Sequence, residues 1–288
     1  MIFLLVLSLF STVLNNALQN DVGKRLASNG QGLRCYQICS FSVSFLIFFC
    51  IACFHSFSVF SMLLGFLFGA MTFLGTYFRI LALSSGPMHI TILITTASML
   101  IPTLSGCLFF HEAFSVFRLI AVVILIGFLY LTTSGGKKAE YPVTVRKKWL
   151  LFCSLAFFGI GMVGVLQKIH QSSEHRNELY GFLASAFLVS MGLTLLLKRG
   201  KSGSGKPLPK RMYLSAGISG LCVFSMYAIN TKLSGELPSQ LFFPLVNGSA
   251  VVLSTLVSVF VFKERMNCRQ IIGLVGGLAS LIAICLLP

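Results

Sequence analysis

Long apolar runs separated by short polar stretches fill this chain from end to end. Each run is continuously apolar over about 20 residues, the length that an α-helix needs to cross a bilayer, and does not alternate as the strands of a membrane barrel do. Cut at charges, Gly, Pro and polar clusters, the runs predict ten helices, near 2–20, 33–54, 58–81, 87–110, 114–133, 149–169, 179–198, 211–232, 238–262 and 268–287. The predicted fold class is an all-α polytopic membrane protein with ten transmembrane helices.

Composition excludes a water-soluble protein. Of the 288 residues, 56% are hydrophobic and 10% are charged, with a mean hydropathy of +0.90. These values lie outside the range of soluble domains. The nine cysteines lie mostly within or beside apolar runs and predict no disulfide framework.

The basic residues are distributed unequally between the two sides of the predicted membrane. The loops after helices one, three, five, seven and nine hold 18 of the 22 Lys and Arg residues, whereas the other side holds only Arg118, Lys168, Arg176 and Lys232. The positive-inside rule then places both termini outside the cytoplasm, in a multi-pass protein of the plasma (cytoplasmic) membrane. The basic residues form no stripe with interleaved aromatic residues, which argues against a nucleic-acid partner.

The sequence contains an internal repeat. Residues 83–112 can be laid on residues 233–264, and each segment has a Leu-Ser-rich turn, a Pro-bearing helix and a Phe-x-Glu ending. This predicts two five-helix repeats, 1–134 and 148–288, joined by a cytoplasmic linker at 135–147. Because five is odd, the second repeat is inverted relative to the first, as in many secondary transporters, and a substrate site is expected near mid-membrane between them.

These features resemble the EamA family of the drug/metabolite transporter superfamily. The resemblance rests on residues 82–87 (ALSSGP), Pro102, the endings 110–112 (FHE) and 262–264 (FKE), Gly127 and residues 273–277. It implies ten helices in two repeats, with a Glu-containing hinge before the last helix of each. Glu112 and Glu264 are therefore expected to cap those short turns. The resemblance also implies export of small metabolites such as amino acids.

Polar residues within the apolar runs give the candidate substrate site. An unpaired polar group in lipid costs several kcal/mol, so these side chains should face the bundle interior or a watery cavity. The clearest stripe is Thr91, Thr95, Ser98 and Pro102, spaced i, i+4, i+7 and i+11, and Asn247 aligns with Thr95 across the repeat. The candidate substrate-binding residues are Asn15, Gln19, Thr72, Thr76, Tyr77, Thr91, Thr95, Ser98, Gln167, Tyr227, Asn230 and Asn247. The alternatives are hydrogen bonds between helices and hydroxyls that bond back to their own helix.

The acidic residues constrain the mechanism. All seven lie in loops or at helix ends, so no carboxylate is expected at mid-membrane to carry a proton or pair with a cation. This disfavours proton-coupled efflux of lipophilic cations, and amides, hydroxyls and tyrosines better suit a neutral, zwitterionic or anionic metabolite. The sequence G-K-S-G-S-G-K-P at 200–207 has Pro207 where a phosphate loop needs Ser or Thr, and predicts a basic cytoplasmic loop.

The predicted function is secondary transport of a small polar metabolite, an amino acid or related compound, by alternating access between the two repeats. No enzymatic activity, cofactor or metal is expected, since no nucleophile with a base and no paired carboxylates occur at depth. The predicted protein is a monomer or homodimer in the lipid bilayer. The alternative is a non-transporting membrane scaffold or lipid-handling subunit, which would bury its amides in pairs and leave no continuous cavity.

Overall fold

The computed structural model is helical throughout the part of the chain that it describes, which comprises residues 1–25, 30–55, 58–85, 88–110, 112, 115–133, 143–197, 209–260 and 267–287. No strand occurs among these residues. The helices in chain order are α1 (Ile2–Arg25), α2 (Gly30–Ala52), α3 (Val59–Ser85), α4 (Met88–Ala97), α5 (Leu100–Phe109), α6 (Val116–Thr133), α7 (Val143–Ser172), α8 (Leu179–Leu196), α9 (Lys210–Glu236), α10 (Ser239–Phe260) and α11 (Cys268–Leu286), with a 3-10 turn at Arg176–Glu178.

Eight of the described helices are long and apolar enough to cross a membrane: α1, α2, α3, α7, α8, α9, α10 and α11. Two shorter apolar stretches, Ile94–Phe109 and Val116–Thr132, are also present in the described part of the chain. The prediction of an all-helical, multi-pass membrane protein is therefore confirmed. Most helix ends lie within a few residues of their predicted positions. The largest difference is at α7, which begins at Val143, inside the range predicted as linker.

The predicted fourth helix is divided into α4 and α5. The interruption falls at Ser98 and Met99, just before Pro102. Proline has no N–H to donate to the carbonyl four residues earlier, and its ring crowds that carbonyl. The Ser98 carbonyl instead accepts a bond from the N–H of Ile101 at 3.0 Å, which is the tighter spacing of a 3-10 turn. Proline therefore divides this helix, whereas the sequence analysis predicted one continuous helix near 87–110.

The described chain forms two compact units. Unit 1 consists of residues 1–73 and 170–233, and unit 2 of residues 74–169 and 234–288. Each unit thus contains segments from both predicted repeats. The repeat boundaries remain a prediction about sequence, and the units are groups of neighbouring helices.

Unit 1 holds α1, α2, α8 and most of α9. Helices α2 and α8 are antiparallel, because Arg34 near the start of α2 donates to the carbonyl of Thr194 near the end of α8 at 2.9 Å. Phe48, near the end of α2, stacks on Phe187 at 5.6 Å between ring centroids. A small residue brings α9 close to α2, since a Cβ on Gly220 would lie 2.7 Å from the Ser40 carbonyl oxygen.

Unit 2 is built around α6, α10 and α11. Its core is a cluster of buried apolar side chains from α6, α10, α11 and the residue before α5: Met99, Ala121, Val122, Leu125, Leu129, Val252, Leu281 and Ile284. Helices α3 and α7 cross where two glycines meet, since a Cβ on Gly159 would lie 2.6 Å from the amide nitrogen of Gly75. Small residues at such crossings let the helix backbones approach closely, as is common in membranes.

Some sequence predictions fall outside the described residues. They are the cap at Glu264, the loop 200–207 and the N-terminal part of the linker, 135–142.

Candidate functional site

Asn15 is part of a buried polar network in unit 1. The Ser219 hydroxyl donates to Asn15 Oδ1 at 2.7 Å, and the Ser40 hydroxyl donates to Ser219 Oγ at 3.2 Å. All three side chains are buried. The predicted site residue Asn15 therefore joins α1 to α9, and through Ser219 to α2. This is the pairing between helices that was the alternative interpretation of its position.

Further along the same helices, Asn230 accepts a hydrogen bond from the Ser8 hydroxyl at 2.5 Å. Tyr227 lies edge-on to Phe68 and Phe187, with ring centroids 5.7 and 5.4 Å apart, and its hydroxyl group lies near that of Thr72. The structure thus brings the predicted residues Tyr227 and Thr72 together.

Gln19, by contrast, is exposed near the end of α1. It takes part in neither of these two groups.

In unit 2 the predicted stripe of hydroxyls bonds largely to its own helix. The Thr95 hydroxyl donates to the Thr91 carbonyl at 2.9 Å, and the Ser98 hydroxyl donates to the Thr95 carbonyl at 2.6 Å. Both side chains are buried. Thr91 differs, because its hydroxyl also accepts a bond from Trp149 Nε1 at 2.9 Å, which fixes α7 against α4. Trp149 is not among the residues predicted for the site, although it is the only tryptophan in the chain.

The other predicted residues of unit 2 lie on α10, α7 and α3. Asn247 donates to the Phe243 carbonyl of its own helix at 2.9 Å and is half-buried. Gln167 is buried in α7, whereas Thr76 and Tyr77 are half-buried in α3.

An ion pair that the sequence analysis missed lies where α7, the end of α5 and the turn between α9 and α10 meet. Lys168 Nζ is 2.6 Å from Glu112 Oε1, and the two side chains are only 7% and 15% exposed. Lys168 Nζ also donates to the carbonyls of Ser234 and Leu237 at 2.9 and 3.1 Å. The ammonium group thus has three acceptors, which equals its number of donors.

The Glu112 carboxylate also has hydrogen-bond partners besides Lys168. Its Oε2 accepts the backbone N–H of Ser239 at 2.7 Å, and its Oε1 accepts the Ser239 hydroxyl at 3.2 Å. Ser239 is the first residue of α10, so the carboxylate caps the positive end of that helix. Glu112 was expected to cap the turn before the predicted fifth helix, but its side chain stabilises the start of α10 and pairs with Lys168.

A cavity of about 310 Å³ opens beside this ion pair, entirely within unit 2. Its walls carry two cationic and two anionic side chains together with the backbone of a turn: Glu112, Arg118, Lys168, Gly235, Glu236, Leu237 and Pro238. Arg118, near the start of α6, donates from Nε to the Leu287 carbonyl at 3.0 Å. All these residues lie at helix ends that the charge distribution predicts to face outward.

Lys168 was missed because it was treated as a loop charge that orients the helices. It lay one residue before the predicted end of its helix, but α7 continues to Ser172, and Lys168 is a buried residue within it. A buried lysine needs a partner. A lysine inside a predicted membrane helix could have indicated a buried ion pair. The sequence does not show which of the few carboxylates is its partner.

A second polar cluster lies in unit 1 at the start of α3. Glu178 Oε2 accepts the backbone N–H and hydroxyl of Ser58 at 2.8 and 2.7 Å, and the Ser61 hydroxyl at 2.5 Å. His175 Nδ1 lies 3.0 Å from Glu178 Oε1. Within the described part of the chain, no group of three His, Cys, Asp or Glu side chains is placed to hold a metal ion. Because Glu178 accepts the N–H of Ser58, the residue just before α3, its carboxylate acts as an N-terminal cap for that helix.

Comparison with known proteins identifies the fold but no family. No protein-family model and no curated protein matches this chain. Twenty-eight chains of solved structures match it. One of them, described only as "Crystal structure of protein", has a TM-score of 0.74 and 12% sequence identity over 99% of both chains. At this identity the similarity shows that the two proteins share a fold, and the fold extends over essentially the whole chain.

Proposed function

We propose that this protein is a secondary transporter of a small polar metabolite, an amino acid or related compound. In this proposal it belongs to the EamA family, has ten membrane-crossing helices in two inverted repeats, and works by alternating access. It lies in the plasma membrane with both termini outside the cytoplasm, as the distribution of basic residues predicts.

The observation that carries the proposal is the interrupted helix α4–α5. Backbone that departs from an α-helix at membrane depth is tolerated where protein buries it or where it lines a water-filled cavity, and transporters use such broken helices at their substrate sites. Here the interruption at Ser98 and Met99 coincides with buried hydroxyls. The α5 side of the break is closely packed, since a Cβ on Gly164 would lie 2.8 Å from the Pro102 ring.

The packing of equivalent helices supports the inverted repeat. In the proposed repeat α2 corresponds to α8, α4–α5 to α10, and α6 to α11. Cys107, near the end of α5, accepts a bond from Gln240 near the start of α10, whereas Met99 before α5 shares a cluster with Val252 toward the end of α10. These helices are therefore antiparallel, as α2 and α8 are.

Helices α6 and α11 give the same result. The end of α6 meets the start of α11, where Thr132 adjoins Gly273, and Arg118 near the start of α6 reaches the Leu287 carbonyl just after α11. Two copies of one five-helix unit, inserted in opposite directions, require antiparallel equivalents. Three such neighbouring pairs are what an inverted repeat predicts.

The test is solute counterflow in proteoliposomes made with the purified full chain. Vesicles are loaded with one unlabelled amino acid, nucleoside, sugar or polyol, and entry of the same radiolabelled solute is followed. At least one solute should accumulate above empty vesicles. Pro102→Ala allows α4 and α5 to join into one helix and should slow that entry, whereas Leu104→Ala, an exposed position on α5, should not. Absence of counterflow for every solute class, with folded protein in the vesicles, would refute the proposal.

A specific observation also favours the non-transporting scaffold. Two amides in unit 1 are paired, the buried Asn15 with Ser219 and the half-buried Asn230 with Ser8, as a structural role requires. A scaffold predicts that Asn230→Leu lowers the folded yield and that no solute exchanges in any variant. A transporter predicts that some substitutions impair exchange while the folded yield stays unchanged.

A further inference from the structure

The cavity in unit 2 contains charges of both signs, and two of its four charged side chains are already fully engaged. Lys168 and Glu112 pair with each other, and their other polar atoms bond to Ser234, Leu237 and Ser239. A ligand would have to break these bonds to use either group. This pair therefore shapes the wall of the cavity and leaves Arg118 and Glu236 to contact a ligand.

Arg118 is suited to hold a carboxylate. Its Nε is bound to the Leu287 carbonyl at 3.0 Å, which fixes the plane of the guanidinium group. Within the described residues this is the only hydrogen bond of that side chain, so the two terminal amino groups remain available. A planar guanidinium group with two free donors matches a carboxylate in a bidentate arrangement.

Glu236 is suited to hold an ammonium group. It is the last residue of α9 and is exposed, and it lines the same cavity as Arg118. The carboxyl end of a helix carries a partial negative charge, which adds to the charge of the Glu236 carboxylate. The adjoining Leu237 and Pro238 supply an apolar wall.

We propose that this cavity binds a small zwitterion, of which a free α-amino acid is the simplest kind, with its carboxylate on Arg118 and its ammonium group on Glu236. A volume of about 310 Å³ is at the small end of ligand sites, which suits a single metabolite. The site lies at the helix ends of unit 2. It deepens the proposed transport function, on which its substrate class rests, by giving the substrate a place to bind near the surface.

The test measures binding to the detergent-purified full chain by calorimetric titration with each of the twenty common L-amino acids. The tightest is then compared with its amide, which lacks the carboxylate, and with its deaminated acid, which lacks the ammonium group. Each analogue should bind at least about tenfold more weakly, because each loses one charge-assisted interaction. Equal binding of either analogue, or no binding of any amino acid at millimolar concentration, would overturn the proposal.

Variants locate the site. Glu236→Gln should weaken binding by about tenfold or more, and Arg118→Gln by a similar factor. Because Arg118→Gln also loses the bond to Leu287, Arg118→Lys serves as a second variant that keeps the charge but loses the bidentate geometry, and it should bind with intermediate affinity. Lys232→Gln, exposed on α9, is the matched control and should bind as the parent does. Parental affinity in Glu236→Gln or Arg118→Lys would overturn the assignment.

Counterflow of the same amino acid separates this proposal from the transport function. Binding that depends on Arg118 and Glu236 without any counterflow would support the site and refute transport. Counterflow together with binding that is unaffected by both substitutions would support transport and place its site elsewhere.

Discussion

The buried ion pair allows a quantitative prediction. Glu112→Gln removes the negative charge beside Lys168, which lies 2.6 Å away with its side chain 7% exposed. Loss of one partner of a buried pair typically costs about 3–5 kcal/mol, because the other charge remains out of water. Two carbonyls still contact the ammonium group, and the glutamine oxygen can still accept the Ser239 N–H. We therefore expect the free energy of unfolding to fall by about 3 kcal/mol, the lower end of that range.

The measurement is a double-mutant cycle with Lys168→Met. Equilibrium unfolding in mixed detergent micelles is followed by the fluorescence of Trp149, the only tryptophan, which lies in the same unit. Since the double variant buries no unpaired charge, its loss of stability should be smaller than the sum of the single losses by at least about 1.5 kcal/mol. Lys232→Met, at an exposed position of α9, is the control and should change stability by less than about 0.5 kcal/mol. A coupling below about 0.5 kcal/mol would refute the view that these two side chains act as one buried pair.

Two further predictions concern helix contacts. A Cβ at position 220 would lie 2.7 Å from the Ser40 carbonyl oxygen, so Gly220→Ala should destabilise the protein by about 1–3 kcal/mol in the same unfolding assay. Gly217→Ala, on the same helix with nothing within 4 Å, should not, and equal stability of the two variants would contradict the close approach. Trp149→Phe removes the hydrogen bond to Thr91 and should cost about 1 kcal/mol, measured by thermal unfolding because the fluorescent group is lost. An unchanged midpoint would show that this bond contributes nothing to stability.

The positions of the helices could be predicted from the sequence because a bilayer requires apolar runs of a fixed minimum length. The division between α4 and α5 shows the limit of that rule. Pro102 identified the place where one backbone bond is lost, but the sequence does not show whether the chain bends or leaves the α-helix there. The outcome depends on how the Ser98 carbonyl is satisfied, and the N–H of Ile101 satisfies it locally.

The candidate site was harder to predict, because helical spacing gives the face on which a polar residue lies but not its partner. Thr95 and Asn247 lie on plausible cavity faces, yet both donate to carbonyls of their own helices. A short polar side chain on a helix can hydrogen-bond to a backbone carbonyl three or four residues earlier in the same helix. At Lys168 the sequence analysis failed in the other direction, because it did not predict a partner. Lys168 pairs with Glu112 from a different segment of the chain, and helical spacing relates residues of one helix only.

The ion pair also makes the two ends of the proposed inverted repeat chemically different. Helices one and six of the proposed repeat match loosely, each ending in a Gln, at Gln19 and at Gln167; Lys168 follows Gln167, whereas Asn20, an amide without charge, follows Gln19. An inverted repeat places equivalent positions at opposite ends of the bundle. Since an amide cannot form the ion pair, the position that matches Lys168 in the proposed repeat cannot build the same wall at the opposite end. A zwitterion that binds this cavity should therefore bind from one side of the membrane only, the side that the distribution of basic residues predicts to be outside.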